Sequence, residues 1–235
     1  AGSDDLRTWL SPLADGYRDW LTAQRTRVSD PTARLEGMEE IAEYAIGQAS
    51  KVADKIAEGI EAVCTKPDAA AAFRFANRVM WLQRVHTEAV TAHRKNPDGP
   101  TVEQLLDPGQ PETVDVEAKR SWRPFQLAFL LLNLPELTEP SHADRSGSKA
   151  LVDLLFFPTG GGKTEAYLGL TAYTFAIRRL AGLVATADGD DLDGGDGVAV
   201  LMRYTLRLLT AQQFERAAAM VCAAETIRRE DPDTW

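Results

Sequence analysis

The sequence is poor in the residues that build covalent or metal frameworks. Two cysteines, Cys64 and Cys222, stand far apart with no CxxC partner. That excludes a disulfide scaffold and a cysteine zinc site, and leaves both as expected free, buried thiols. Three histidines are present; His86 and His93 fall on one helical pattern, but no cysteine or carboxylate pair completes a ligand set around them. Long apolar runs are lacking too. The longest, Phe125 to Leu134, is bounded by Pro124 and Pro135 and is well short of the roughly 18 residues of a membrane span. The opening Ala-Gly-Ser-Asp-Asp has neither the basic patch nor the apolar core of a secretory signal, so the expectation is a soluble, cytoplasmic protein without a membrane partner. Positive charge is in deficit, with 26 Lys and Arg against 35 Asp and Glu and a net charge of −9. This argues against coating nucleic acid by bulk charge and leaves a local basic groove open. What is present is a hydrophobic fraction of 44% over 235 residues, enough for a packed core in one to two domains.

The first hundred residues read as helix. Leu6, Trp9, Leu10, Leu13, Tyr17, Trp20 and Leu21 recur three and four apart, with Ser11-Pro12 as an internal start signal. After Asp30-Pro31 a second stripe runs from Leu35 to Val63, and after the break at Lys66-Pro67-Asp68 a third runs from Phe73 through Met80 and Trp81 to Val85, fading near His93. Residues 96–120 turn to Pro, Gly, Asp, Glu and Thr, which predicts a linker between a helical domain, 1–95, and a second domain, 121–235. In the second, Pro124 opens a helix, apolar runs 151–157 and 198–202 read as strands, and helical patterns cover Thr164 to about Leu180 and the stretch to about Arg229. Apolar runs separated by helices predict an α/β lobe with a parallel sheet. The stretch Asp188 to Asp196 holds five aspartates in nine residues, but Leu192 stands where a ligand should be and no glutamate closes the set, so a solvated loop rather than a calcium site is expected.

The segment carrying chemistry is Phe157-Pro-Thr-Gly-Gly-Gly-Lys-Thr164. An expected strand runs into three glycines, a lysine and a threonine, and then into an amphipathic helix, the setting of a phosphate-binding loop. Thr159, Gly160, Gly161 and Gly162 let backbone N–H groups face a phosphate without a Cβ in the way, and the helix N-terminus adds partial positive charge. Lys163 can reach the β- and γ-phosphates of ATP as the catalytic cation, and the Thr164 hydroxyl can ligate Mg²⁺. The strict GxxxxGK[ST] pattern wants glycine at 157, where this sequence has Phe157.

The variant Pro-Thr-Gly-x-Gly-Lys-Thr resembles motif I of superfamily 2 helicases and translocases. Trp122-Arg-Pro-Phe-Gln126 resembles their Arg-x-x-Gln adenine-reading element, in which Arg123 and Gln126 take part; a glutamine amide can meet both a donor and an acceptor on the adenine edge. Arg203-Tyr-Thr-Leu-Arg207 resembles motif Ia, so Arg203, Thr205 and Arg207 are candidate contacts to nucleic-acid phosphates, read without base information. Together with Ala72-Phe-Arg-Phe-Ala-Asn-Arg-Val-Met80, these stretches look like the DrmA-type helicase component of the DISARM anti-phage system over roughly residues 56 to 230. The resemblance implies an N-terminal helical domain followed by an incomplete first RecA-like lobe with a parallel sheet. It also implies ATP and Mg²⁺ as cofactors, DNA, single-stranded or with a single-stranded end, as a partner, and a partner subunit in a defence complex. No Asp-Glu-x-Asp or Asp-Glu-x-His follows Met202, so the sequence reads as the opening part of a larger enzyme, binding nucleotide without hydrolysing it. Another P-loop enzyme, such as a kinase, and a helical partner-binding module stay open as alternatives.

Overall fold

The computed structural model describes residues 3–145, 148, 150–158, 160–185, 191–203 and 207–235, the side chains of residues 3 and 207–210 excepted. Its elements are α1 (Ser3–Val28), α2 (Glu39–Thr65), α3 (Pro67–Lys95), α4 (Val102–Leu106), α5 (Pro124–Thr138), α6 (Lys163–Ala181), β1 (Leu183–Ala185), β2 (Asp191–Asp193) and α7 (Arg207–Glu230), with single 3₁₀ turns at Pro31–Ala33 and Glu117–Lys119. They divide into two compact units, residues 1–70 with 127–153 and residues 71–126 with 154–235.

In the first unit α1 and α2 pack side by side. The buried stripe of α1 is Leu6, Leu10, Ala14 and Leu21, while Trp9 and Trp20 are 66% and 52% exposed, so neither tryptophan belongs to the core stripe. The helix runs through Pro12. Leu21 packs with Ile46 and Ala53 of α2, and Tyr17, Val28 and Ala49 flank them. Further along α2, an added Cβ at Gly59 would lie 1.9 Å from the Leu131 carbonyl oxygen; only glycine lets α2 approach the α5 backbone this closely. Leu130, Leu131 and Leu134 are fully buried on α5, each contributing about 2 kcal/mol of apolar burial. Pro135 lies inside α5, which continues to Thr138.

Helix α3, which lies in the second unit from residue 71 onward, begins at Pro67 and carries Arg94 and Lys95 in its last turn, cations placed where the helix dipole favours them. Thr101 and Gln104 form a reciprocal capping box that starts α4, the arrangement that satisfies two orphan N–H groups of a helix N-terminus. Helix α6 buries Ala166, Leu168, Ala172, Tyr173, Ala176 and Ile177. The Arg178 guanidinium donates to the carbonyls of Asp196 (2.7 Å), Val198 (3.0 Å) and Asp193 (3.3 Å), tying down the aspartate-rich loop from 191 onward.

The expected parallel sheet is not what this chain forms. Among the described residues the strands are β1 and β2, paired antiparallel with Leu183 opposite Asp193. Segment 151–157 has no regular structure, and Val152, Leu154 and Phe156 stand 96%, 84% and 90% exposed. Segment 198–202 is likewise irregular, with Val198 and Leu201 at 77% and 87%. An incomplete RecA-like lobe built on a parallel sheet is therefore overturned. The physical reason is that an apolar run becomes a buried strand only when neighbouring strands pair with its edges and helices cover its faces, and among the described residues no strand pairs with either run. The expectation of two buried thiols also fails: Cys64 is partly buried and Cys222 exposed. No helix among the described residues is long and apolar enough to cross a membrane.

Candidate nucleotide site at the glycine turn

Helix α6 starts at Lys163, and its N-cap is Gly162 at φ +92°, without a side-chain cap. Gly160 has φ +80°. Two left-handed residues in a three-residue turn require glycine, and the uncapped helix end directs its first N–H groups and its partial positive charge toward the turn. Gly161 answers the departure at 157. A Cβ there would meet Phe157 Cδ1 at 2.4 Å, and the Phe157 ring stacks on Phe125 with centroids 3.9 Å apart and planes 11° from parallel. A phenylalanine fits where the strict pattern wants glycine because its ring turns onto Phe125 and the glycine at 161 leaves it room.

Two residues that precede the turn by nearly forty positions hold it. Gln126 is 5% exposed; its Nε2 donates to the Gly162 carbonyl at 2.7 Å, and its Oε1 accepts from the Arg123 backbone N–H at 2.9 Å. Arg123 Nη1 donates to the Gly161 carbonyl at 2.7 Å. Lys163 folds back, its ammonium donating to the Phe157 carbonyl and, at 3.2 Å, to the Pro158 carbonyl. An arriving phosphate would exchange those two neutral acceptors for charged oxygens. Thr164 follows in the first turn of α6, partly buried. Glu165, next along, pairs through Oε1 with Arg216 of α7, while its Oε2 is buried without a hydrogen-bond partner. Burial pulls the Arg216 pKa down from its ordinary value.

The structure thus brings Arg123, Gln126, Gly160, Gly161, Gly162 and Lys163 together. Thr159 and Thr205 lie outside the described residues, Arg203 is exposed, and Arg207 opens α7 with its side chain outside the description.

Sequence reasoning missed Asp115, in the Pro- and Gly-rich segment. Its carboxylate, 2% exposed, accepts from Arg120 Nη2 at 2.7 Å and Nε at 3.0 Å, from Trp81 Nε1 at 2.9 Å and from Arg84 at 3.4 Å. The Arg120 guanidinium, joined by the Trp81 N–H and Arg84 against the cost of burial, holds this carboxyl below the usual carboxylate range. Arg120 also lies over the Trp81 ring, 5.9 Å from its centroid. Trp81, Arg84 and Arg120, each bonded to Asp115, line a cavity of about 720 Å³ that reaches Gln126 and Glu165.

The first unit holds a second polar cluster the sequence did not announce. Glu136, His142 and Asp144 each place a ligand atom within 4.8 Å of the others. Lys55 already sits among them, bonded to Glu136 and lying 3.5 Å from Asp144 and 3.9 Å from Asp153. Burial lowers its pKa, but the three carboxylates outweigh that and hold it above its ordinary value, so the acidic charge has its cation.

No protein-family model matches the chain. The chain is similar to the DISARM protein DrmA of Bacillus paralicheniformis (strain ATCC 9945a / NCIMB 11709 / CD-2), at 37% identity over an alignment of 235 residues that covers 98% of this chain. The chain spans 18% of that relative's length.

Proposed function

We propose that this chain is the ATP-binding segment of a DNA-dependent helicase or translocase acting in anti-phage defence. The observation that carries the reading is the Gln126 clamp on the glycine turn: one N–H and one lone pair of its amide hold Gly162 and Arg123, and the same amide has a second N–H and a second lone pair with which to meet the adenine edge. A phosphate turn linked in this way to an adenine reader favours a superfamily 2 type of ATPase over a kinase. Lys163 would bind the β- and γ-phosphates and Thr164 would hold Mg²⁺; the turn, with glycines where a Cβ would intrude and an uncapped helix behind it, fits that group. When bound, Mg²⁺ supplies charge neutralisation at the phosphates. Similarity to a DISARM protein supports the defence setting.

DNA contact is assigned to Arg203, Thr205 and Arg207, as sequence-independent phosphate binding. A partner subunit in a defence complex completes the proposal; Trp9 on α1 and Ile41 and Tyr44 on α2, exposed at 66%, 68% and 69%, are the kind of surface that favours a protein partner. The test is ATP turnover by the full-length protein with and without single-stranded DNA. Stimulation by DNA supports the helicase-type reading, and turnover indifferent to DNA favours another P-loop enzyme.

A further inference from the structure

We propose that the cavity bordered by Gln126 receives the base of the nucleotide as a stacked planar ring, with the Trp81 indole and the Arg120 guanidinium as its wall and Asp115 as the residue that positions that wall. This rests on reading the glycine turn as the triphosphate site and goes beyond it to residues of α3 and of segment 115–120.

Three observations carry the assignment. The first is size: about 720 Å³ lies within the range of small-ligand sites. The second is charge. Arg120 is paired with Asp115, Lys119 with Glu88 at 2.8 Å, Arg84 with Glu88 at 3.2 Å and Arg216 with Glu165. Each of these cations has a carboxylate beside it, so the cavity is poorly suited to a phosphate and suited to a neutral ring. The third is rigidity. Trp81 and Arg120 both bond the buried Asp115 carboxylate, which fixes two flat groups in one arrangement before a ligand arrives, and such pre-organisation lowers the ordering cost of binding. Gln126 at the cavity's edge belongs equally to the turn. A ring stacked here would therefore continue into phosphates lying on Gly160 to Thr164.

The test compares ATP with inorganic triphosphate as ligands of the full-length protein, by competition against a fluorescent nucleotide. Triphosphate reports the turn alone; ATP reports turn and cavity. Trp81→Ala and Arg120→Ala are each expected to weaken ATP about tenfold, the scale of base stacking on an aromatic or guanidinium face, while triphosphate binding is unchanged and Trp81→Phe, which keeps an aromatic face but loses the N–H bond to Asp115, loses less than Trp81→Ala. Asp115→Asn is expected to follow Arg120→Ala in the ATP-to-triphosphate ratio, which a purely structural role would not move. Should Trp81→Ala fail to fold, Arg120→Ala decides, since that side chain is 45% exposed. Unchanged ATP affinity in Arg120→Ala, or equal weakening of both ligands, overturns the proposal. Failure of the underlying reading looks different: Lys163→Ala would then leave both ligands bound as in wild type.

Discussion

Gln126 reaches across 36 residues of sequence to donate to the Gly162 carbonyl at 2.7 Å, at the residue that caps α6 in the left-handed conformation. Gln126→Glu keeps the size of the side chain but replaces the N–H donor by an acceptor facing a carbonyl, leaving a buried group unsatisfied at a cost of roughly 1–3 kcal/mol. The expected outcome is a lower unfolding midpoint and at least a fivefold loss of nucleotide affinity. Gln126→Ala should also narrow the preference for ATP over GTP, read from paired titrations.

Substitutions within the turn separate backbone strain from crowding. Gly160→Ala introduces strain at φ +80° with nothing within 4 Å of the new Cβ, whereas Gly162→Ala adds to its φ of +92° an approach of 2.7 Å to Gln126 Nε2. Left-handed backbone costs an alanine about 1–2 kcal/mol. Gly162→Ala should therefore be the more destabilising of the two in equilibrium unfolding and should weaken phosphate binding further.

The sequence announces its helices and its turn because both are local. Apolar residues three and four apart specify one face of α2, α3 and α6, and Gly-Gly-Gly-Lys-Thr needs only five neighbouring positions. What it conceals is set by distant partners. Leu151 to Phe157 has the composition of a buried strand whether or not another strand pairs with it, and here Val152, Leu154 and Phe156 stand in solvent. Trp9 and Trp20 fit the spacing of a core stripe yet face water, since α1 is covered along Leu6, Leu10 and Leu21. Asp115 lies in a stretch whose prolines and glycines suggest only a linker; its meaning comes from Trp81, 34 residues earlier. Phe157 departs from the motif in sequence, and the reason it fits, its ring against Phe125, lies 32 residues away.

In the first unit, Gly59→Ala tests the contact of α2 with α5. The new Cβ would lie 1.9 Å from the Leu131 oxygen and 2.7 Å from its carbonyl carbon. These are backbone atoms with no rotamer to yield, so one helix must shift. Overpacking of this kind costs about 3 kcal/mol, measurable by urea unfolding; stability within 0.5 kcal/mol of wild type would show that the helices are not held at this distance.

Asp115 gives a pH dependence with a definite sign. Its carboxyl is held below the ordinary value of 3.8, with Arg120 the largest cause. A depressed folded-state pKa stabilises the protein fully above the unfolded value and loses that contribution as pH falls through the folded one. Wild-type stability should accordingly drop as pH is lowered below about 3.8, and Asp115→Asn, less stable at neutral pH, should show a shallower drop over that acid window. Parallel curves for the two proteins would contradict the pairing.

In the proposed function the turn from Gly160 to Thr164 holds the phosphates of ATP, with Lys163 turning from the carbonyls of Phe157 and Pro158 to bind them. The most direct measurement is ATP turnover by the full-length protein carrying Lys163→Ala, assayed with single-stranded DNA beside the wild type. Loss of the fixed cation from the β- and γ-phosphates predicts a fall of at least a hundredfold, about 2.7 kcal/mol or more of transition-state stabilisation, with the fold intact by unfolding midpoint. Turnover equal to wild type in the folded variant would contradict the assignment of the turn.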